Sequence, residues 1–315
     1  MFLVRGITLS LSVFVLLYGS LSFLVTRGWS AVQRSSQRFS ARATADLLLA
    51  LRVMPLGVSA LVTAGFMVPS FLLLEPHSID EPIGVIPLVL GCCGAILFVI
   101  GVIRTVEAQV RTFLLVQGWL ADSTPVFAGA AVPVFRICGV LPALTAAGIR
   151  KPRVLMSAAA AAALTGPELR TALRHEVAHV RRRDNLKKLL FRFCAFPGMA
   201  DLEEAWSQAA EIAADDIAVS SSDEALDLAS ALIKLSRFAL VPSSAAITTA
   251  LMSANAAPMN ARVERLVAWH EGTPAVCRFS LWYVLAVVLG TVVCLTMTYG
   301  TALAQVHAVT EWLVR

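Results

Sequence analysis

Residues 175–179 read His-Glu-Val-Ala-His. Two histidines four positions apart on a helix lie about 40° apart, one turn above the other, so both imidazoles can reach one ion at about 2.0–2.1 Å. Glu176 is turned about 100° from His175 and stands beside such an ion, placed to take a proton from a water there. The chemistry this spacing offers is zinc-assisted hydrolysis, with His175 and His179 as ligands and Glu176 as general base. A catalytic zinc needs a third protein ligand and an open position. Downstream, Glu203, Glu204, Glu211, Asp215 and Asp216 are candidates, and Glu204, Gln208, Glu211 and Asp215 share one face of a helix expected over Asp201–Ser220. If Glu211 takes the metal, Asp215 stands one turn on and can accept a hydrogen bond from a ligand imidazole.

These groups need elements to position them. Thr165-Gly-Pro-Glu168 has capping-box spacing with Pro167 in the first turn, so a helix starts there and runs to about Arg183. Leu169, Leu173, Val177 and Val180 form its apolar face. Arg170, Arg174 and Arg181 form a second face. Glu168, Ala172, His175, Glu176 and His179 form the third, as in a core wall that opens on a polar cleft. Val132–Cys138, Ala143–Ile149 and Pro152–Ser157 read as strands, and Ala158–Ala163 as a connector. Asp184–Phe196 is a basic amphipathic stretch, lying at a membrane surface or half-buried as an ordinary helix. Ser222 caps a further helix to about Leu240, Val241–Pro258 reads as irregular, and Arg262–His270 as a last short helix. A substrate peptide is expected to add as a strand to an exposed edge, with Pro152–Ser157 the candidate. On charge alone, His270, Arg262 and Arg265 are candidates for stabilising an oxyanion.

Composition places this machinery in a membrane. Of 315 residues, 57% are hydrophobic and only 15% charged, against roughly 25% charged in a soluble domain. That excludes disorder, a coiled coil and a highly charged tail protein, and it points away from an ordinary cytosolic enzyme. Gly6–Thr26, Val53–Leu74, Ile83–Ile103 and Phe279–Ala304 carry no charge, and each is long enough to cross about 30 Å of hydrocarbon as an uncleaved helix. Pro55 and Pro69 should bend the second. Arg27, Arg34, Arg38 and Arg42 follow the first run, whereas Glu75–Pro82 holds Glu75, Asp80 and Glu81 and no basic residue. By the positive-inside rule the loop at 27–45 is cytoplasmic and both termini are outside. The expected organisation is three spans over 1–106, a cytoplasmic domain over 107–278, and a fourth span with a short external tail over 279–315. Residues 104–278 hold 19 Lys+Arg against 16 Asp+Glu, so nucleic acid is not an expected partner. The six cysteines form no CxxC pair, so neither a disulfide framework nor a cysteine zinc site is expected.

The run Leu173-Arg-His-Glu-Val-Ala-His-Val-Arg-Arg-Arg-Asp184, followed by Glu211-xxx-Asp215, resembles the transmembrane metallopeptidases of the BlaR/MecR type. The strand-like Pro152–Ser157 and Ala261-Arg-Val-Glu-Arg-Leu266 before the last apolar run are similar to that family's pattern too. The resemblance covers essentially the whole chain, most specifically residues 150–220. It implies an α-helical membrane protein with four transmembrane helices and a cytoplasmic α+β gluzincin domain. His175, His179 and Glu211 would bind Zn2+, with Glu176 as general base and acid and Asp215 behind a ligand histidine. Asp184 matches a family position and would have a local structural role. The implied activity is endopeptidase cleavage of a cytoplasmic or membrane protein in regulation or signalling, from the plasma (inner) membrane, and a transcriptional repressor is one class of substrate. Residues 305–315 alone follow the fourth run and hold no SxxK acylation motif. Direct β-lactam sensing is therefore not expected, and a stimulus should come through a separate sensor, self-association, the external loops or the bilayer. Two other readings stay open. One is a quality-control protease of the HtpX kind, in which membrane helices commonly separate the two motifs. The other is a non-proteolytic signalling subunit with a zinc-binding module, which would have no need of Glu176.

Overall fold

The computed structural model describes residues 2–36, 39–75, 84–127, 132–138, 143–194, 196–236, 248–250, 256–269, 299–306 and 308. Its frame is three long rods. The first is α1 (Phe2–Ser36). The second is α2 (Ala41–Val62), a π-helical turn (Thr63–Met67) and α3 (Val68–Leu74). The third is α4 (Val85–Ala121). Phe2–Trp29, Ala41–Leu74 and Val85–Ala121 are each long and apolar enough to cross a membrane. Most of the fourth apolar run, 279–298, lies outside the described residues.

Small residues bring α1 and α4 together. A Cβ at Gly91 would lie 3.0 Å from the Thr8 carbonyl oxygen, and one at Gly94 equally close to that of Leu11. Close backbone approach of this kind is how helices associate in lipid, where apolar burial alone gives no preference for protein over acyl chain. Pro69 explains the π-helical turn. Proline lacks an N–H and its ring clashes with the carbonyl four residues back, here that of Gly65. The widened turn relieves the clash, and the Tyr299 hydroxyl donates to the Gly65 carbonyl at 2.7 Å. Ser70 also donates to the Leu303 carbonyl at 3.1 Å, and Val306 packs against Leu9, Met67 and Phe71. Residues 299–306 thus share one end of the bundle with the start of α1.

At the other end the bundle meets an α+β part. Its sheet has the order β1-β2-β4-β3-β5: β1 (Thr124–Phe127), β2 (Val134–Ile137), β3 (Leu144–Ala147), β4 (Arg153–Ser157) and β5 (Thr248–Ala250). Only the β2/β4 pair is parallel. Side chains alternate between two cores, as the two-residue period of a strand requires. Val154 and Met156 face one core with α6 (Gly166–Arg182), α9 (Ser222–Ser236) and α10 (Ala256–Val267). Leu155 faces the other, where Val116, Trp119 and Leu120 at the end of α4 cover it.

Several sequence expectations change here. Ala158–Ala163 is not a connector but a short helix, α5. Alanine has the highest helix propensity, and the Ser157 hydroxyl caps the first turn by accepting from the Ala160 N–H at 3.0 Å. The stretch Val241–Pro258 contains β5 and the start of α10, which begins at Ala256 rather than Arg262. β1 was not anticipated. Pro152–Ser157 is no free edge, because β4 is paired on both sides, with β2 and β3, and cannot accept a substrate strand.

Candidate metal centre

The site begins with α6. Its N-terminus carries the expected capping box: the Glu168 carboxylate accepts from the Thr165 N–H at 2.8 Å. The same carboxylate takes Lys234 Nζ at 2.7 Å and the Ser230 hydroxyl at 2.6 Å, which ties the start of α6 to α9. Leu169, Leu173, Val177 and Val180 pack on the sheet core. That orientation buries the opposite face, with His175, Glu176 and His179 at 0%, 0% and 2% exposure. The helix ends at Arg183, which adopts a left-handed conformation at φ 56°. A non-glycine residue there costs roughly 1–2 kcal/mol. The break turns the chain into α7 (Asp184–Phe193) and sets Asp184 against the last turn of α6. Asp184 Oδ2 lies 2.8 Å from His179 Nδ1, and Lys187 Nζ lies 3.1 Å from Asp184 Oδ1.

The second contribution comes from α8 (Ala200–Ala218). Leu202, Trp206, Ala209 and Ala210 pack with Ala45 and Leu48 of α2 and with Phe191 of α7. The basic amphipathic stretch after Asp184 is therefore a half-buried helix docked on the membrane rods. Its end is gripped there: Arg52 donates to the Cys194 carbonyl at 2.5 Å. A Cβ at Gly101 would lie 2.6 Å from the Phe193 carbonyl oxygen, so glycine permits this approach. With α8 seated, Glu211 and Asp215 face α6.

His175 Nε2 and His179 Nε2 stand 3.1 Å apart. Glu211 Oε2 is 3.5 Å from the first and Oε1 is 3.4 Å from the second. Asp215 Oδ1 lies 2.9 Å from His175 Nδ1. Each imidazole thus has a carboxylate at Nδ1, which favours the proton on that nitrogen and leaves an Nε2 lone pair pointing inward. Two lone pairs and a carboxylate converging on one point repel one another unless a cation sits among them. His175, His179 and Glu211 are the described residues whose ligand atoms, all within 4.8 Å of one another, could hold a metal ion.

The electrostatics agree. Burial by itself would lower the His179 pKa, but Glu211, Asp184 and Glu176 outweigh it and push it up to about 9. His175 is raised in the same sense, burial being outweighed by Asp215 and Glu211. The pocket favours positive charge at these nitrogens, and a divalent ion supplies it without a proton. Burial would raise Glu211, yet His179 and Arg262 hold it well below the usual carboxylate range, in the ionised form a ligand needs.

Glu176 differs from its neighbours. Neither carboxylate oxygen has a well-formed hydrogen-bond partner among the described residues, though the backbone of Ala146 on β3 lies near enough to oppose the rise in its pKa. Burial raises its pKa. An orphaned buried carboxyl beside a cation site is placed for proton transfer to a small molecule held there, water being the simplest.

The other acidic candidates lie elsewhere. Glu204 is exposed, and Asp216 pairs with Arg265 on the surface. Arg265 is thus engaged away from the site, and His270 lies outside the described residues. Arg262 does reach the site, but not as a free cation for an oxyanion: it is buried, hydrogen-bonded to Asp215 and ion-paired with Glu211. Only its charge was legible beforehand, because its partners are 47 and 51 positions away in the chain.

No protein-family model and no curated protein matches this sequence.

Proposed function

We propose that this chain is a membrane-embedded zinc endopeptidase. The observation that carries the reading is the orphaned, buried Glu176 beside two histidines whose inward nitrogens and Glu211 converge on one point. A bound zinc ion would supply Lewis acidity, polarising a scissile carbonyl and making water acidic enough to attack near neutral pH. The chain's own groups do the rest. His175, His179 and Glu211 hold the ion. Asp215 and Asp184 fix the imidazole tautomers. Glu176 takes a proton from the attacking water and delivers it to the amine nitrogen as the C–N bond breaks.

The resemblance to the BlaR/MecR type supports a regulatory or signalling role, with the α+β part in the cytoplasm, a fourth span over Phe279–Ala304, and a cytoplasmic or membrane protein such as a transcriptional repressor as substrate. Between the two motifs α7 has ten residues, too few for a spanning helix, which favours this type over the HtpX kind.

The test uses the full chain purified in detergent, with metal content and casein cleavage measured together. Wild type should carry equimolar zinc and cleave. Glu176→Gln should keep the zinc and lose cleavage by about 10²–10⁴-fold. Glu211→Ala should lose most of the zinc, and Glu204→Ala should not. Full cleavage by Glu176→Gln would remove the proposed base, and a non-proteolytic zinc module would become the better reading.

A further inference from the structure

The buried polar groups around the cluster include a cation that hydrolysis itself does not use. Arg262 is 5% exposed. Its Nε donates to Asp215 Oδ2 at 2.8 Å and its Nη2 to Asp215 Oδ1 at 2.7 Å, a two-pronged grip on one carboxylate. Its Nη1 lies 3.0 Å from Glu211 Oε2. We propose that Arg262 is a positioning residue of the metal centre, locking Glu211 and Asp215 in place together so that the centre is complete only while α10 is seated. The proposal rests on reading His175, His179 and Glu211 as a metal site.

The physical case has three parts. Glu176, Glu211 and Asp215 bring three carboxyl groups together, two of them one turn apart on α8. Packed without a countercharge, Glu211 and Asp215 would repel each other and rotate apart. The guanidinium supplies that charge at hydrogen-bonding distance from both. Second, the forked geometry sets orientation. With both Asp215 oxygens held by Arg262, the carboxylate plane is fixed, and Oδ1 remains 2.9 Å from His175 Nδ1. A lysine ammonium has the charge but not the fork. Third, α10 is placed to carry this group and little else of the site. Leu266 is buried in the core with Met259 and Val263 against it, while Arg265 pairs with Asp216 at the surface. Two arginines three positions apart thus clamp α10 to α8, one buried at the ligands and one outside. Because Arg262 reaches Glu211 and Asp215 from α10, whatever unseats α10 also frees the third ligand from its countercharge.

Arg262→Ala would strand the buried Asp215 and the half-buried Glu211 carboxylates and is expected to misfold, so the test uses Arg262→Lys, with Arg265→Lys as the surface control. Chelator-stripped full-length protein in detergent is titrated with zinc against a competing chelator, and separately with cobalt(II) to record the visible ligand-field bands. Arg262→Lys should weaken zinc binding about 10–100-fold and alter the cobalt band intensities, while Arg265→Lys changes neither. In an Asp215→Asn background, Arg262→Lys should have a smaller effect than in wild type, because the two act through one contact. Wild-type zinc affinity and an unchanged cobalt spectrum in Arg262→Lys would overturn the proposal, as would full additivity with Asp215→Asn. If wild type itself binds neither metal, the metal reading fails first, and that outcome is distinct from a defect confined to the variant.

Discussion

The two helices that bring the ligands together are held in opposite ways. α6 lies within the α+β part, capped at Thr165, tied to α9 through Glu168, and packed on the sheet through Leu169, Leu173, Val177 and Val180. It carries two ligands and the base within five residues. α8 instead backs onto the membrane rods, with Leu202, Trp206, Ala209 and Ala210 against α2, and Arg262 of α10 grips it from another element. One half of the centre is thus seated on the sheet core. The other half is seated against helices long and apolar enough to cross a membrane. That asymmetry makes Glu211 the ligand whose position depends on packing against the rods.

The largest expected effect comes from breaking the membrane seat of α8. Trp206 is fully buried and meets the Phe191 ring edge-on, centroids 4.8 Å apart. Trp206→Ala should cost about 3–5 kcal/mol and weaken zinc binding along with stability, because Glu211 lies five residues further along the same helix. Trp206→Phe keeps most of the packing and removes an indole N–H that has no partner among the described residues, so its cost should be much smaller. Thermal unfolding in detergent and zinc competition would rank them. If Trp206→Ala unfolds early yet retains wild-type zinc affinity below its transition, α8 holds Glu211 without help from the rods, and the asymmetry is lost.

A smaller effect tests the α6 side. Asp184 touches only His179 among the ligands, across the turn that Arg183 makes. Asp184→Asn keeps one acceptor and removes the charge, so zinc affinity should fall about 10–100-fold. The unfolding temperature should drop less than in Trp206→Ala, because α8 is untouched. Equal losses of stability in the two variants would mean that the centre folds as one unit rather than as two differently anchored halves.

The same division governs how much was legible in the sequence. Everything on α6 is local: a capping box three residues wide, a histidine pair one turn apart and an apolar stripe of helical period can be read before any fold is known. The three described rods are equally legible, since an uncharged run of twenty-odd residues has few soluble uses. The strands were read in part. β2, β3 and β4 follow hydrophobic runs, whereas β1 and β5 are four and three residues long and have too little pattern to register. That β4 lies inside the sheet depends on pairing with β2 and β3, which local periodicity does not encode. Arg262 is the sharpest case. Its charge was visible, but its burial against Asp215 and Glu211 is a tertiary fact. The π-helical turn is intermediate: Pro69 signalled a distortion, and only the fold shows Tyr299 meeting the freed Gly65 carbonyl.

The smallest effect expected is in the anchor of α6 itself. Burial would raise the Glu168 pKa, but Lys234, Ser230 and the Thr165 N–H outweigh it and lower it to about 2 from 4.5. A carboxylate with a depressed folded pKa contributes stability that is fully present above its unfolded value. That contribution is lost as pH falls from about 4.5 through about 2. Glu168→Gln can still accept from the Thr165 N–H but cannot pair with Lys234. It should cost roughly 1.5–3 kcal/mol at pH 7, the range for hydrogen bonds to a charged group. The gap between wild type and Glu168→Gln should then narrow as pH is lowered below about 4.5, because there the unfolded wild type takes up a proton that the folded state, with its pKa of about 2, does not, and the variant has no carboxyl to titrate. Unfolding of both proteins between pH 7 and 3 would show it. A gap that stayed constant down to pH 3 would assign the loss to packing rather than to the Glu168–Lys234 pair. α6 would then be anchored by its apolar face alone, and its independence from charge would set it further from α8, whose seat at the ligands depends on Arg262.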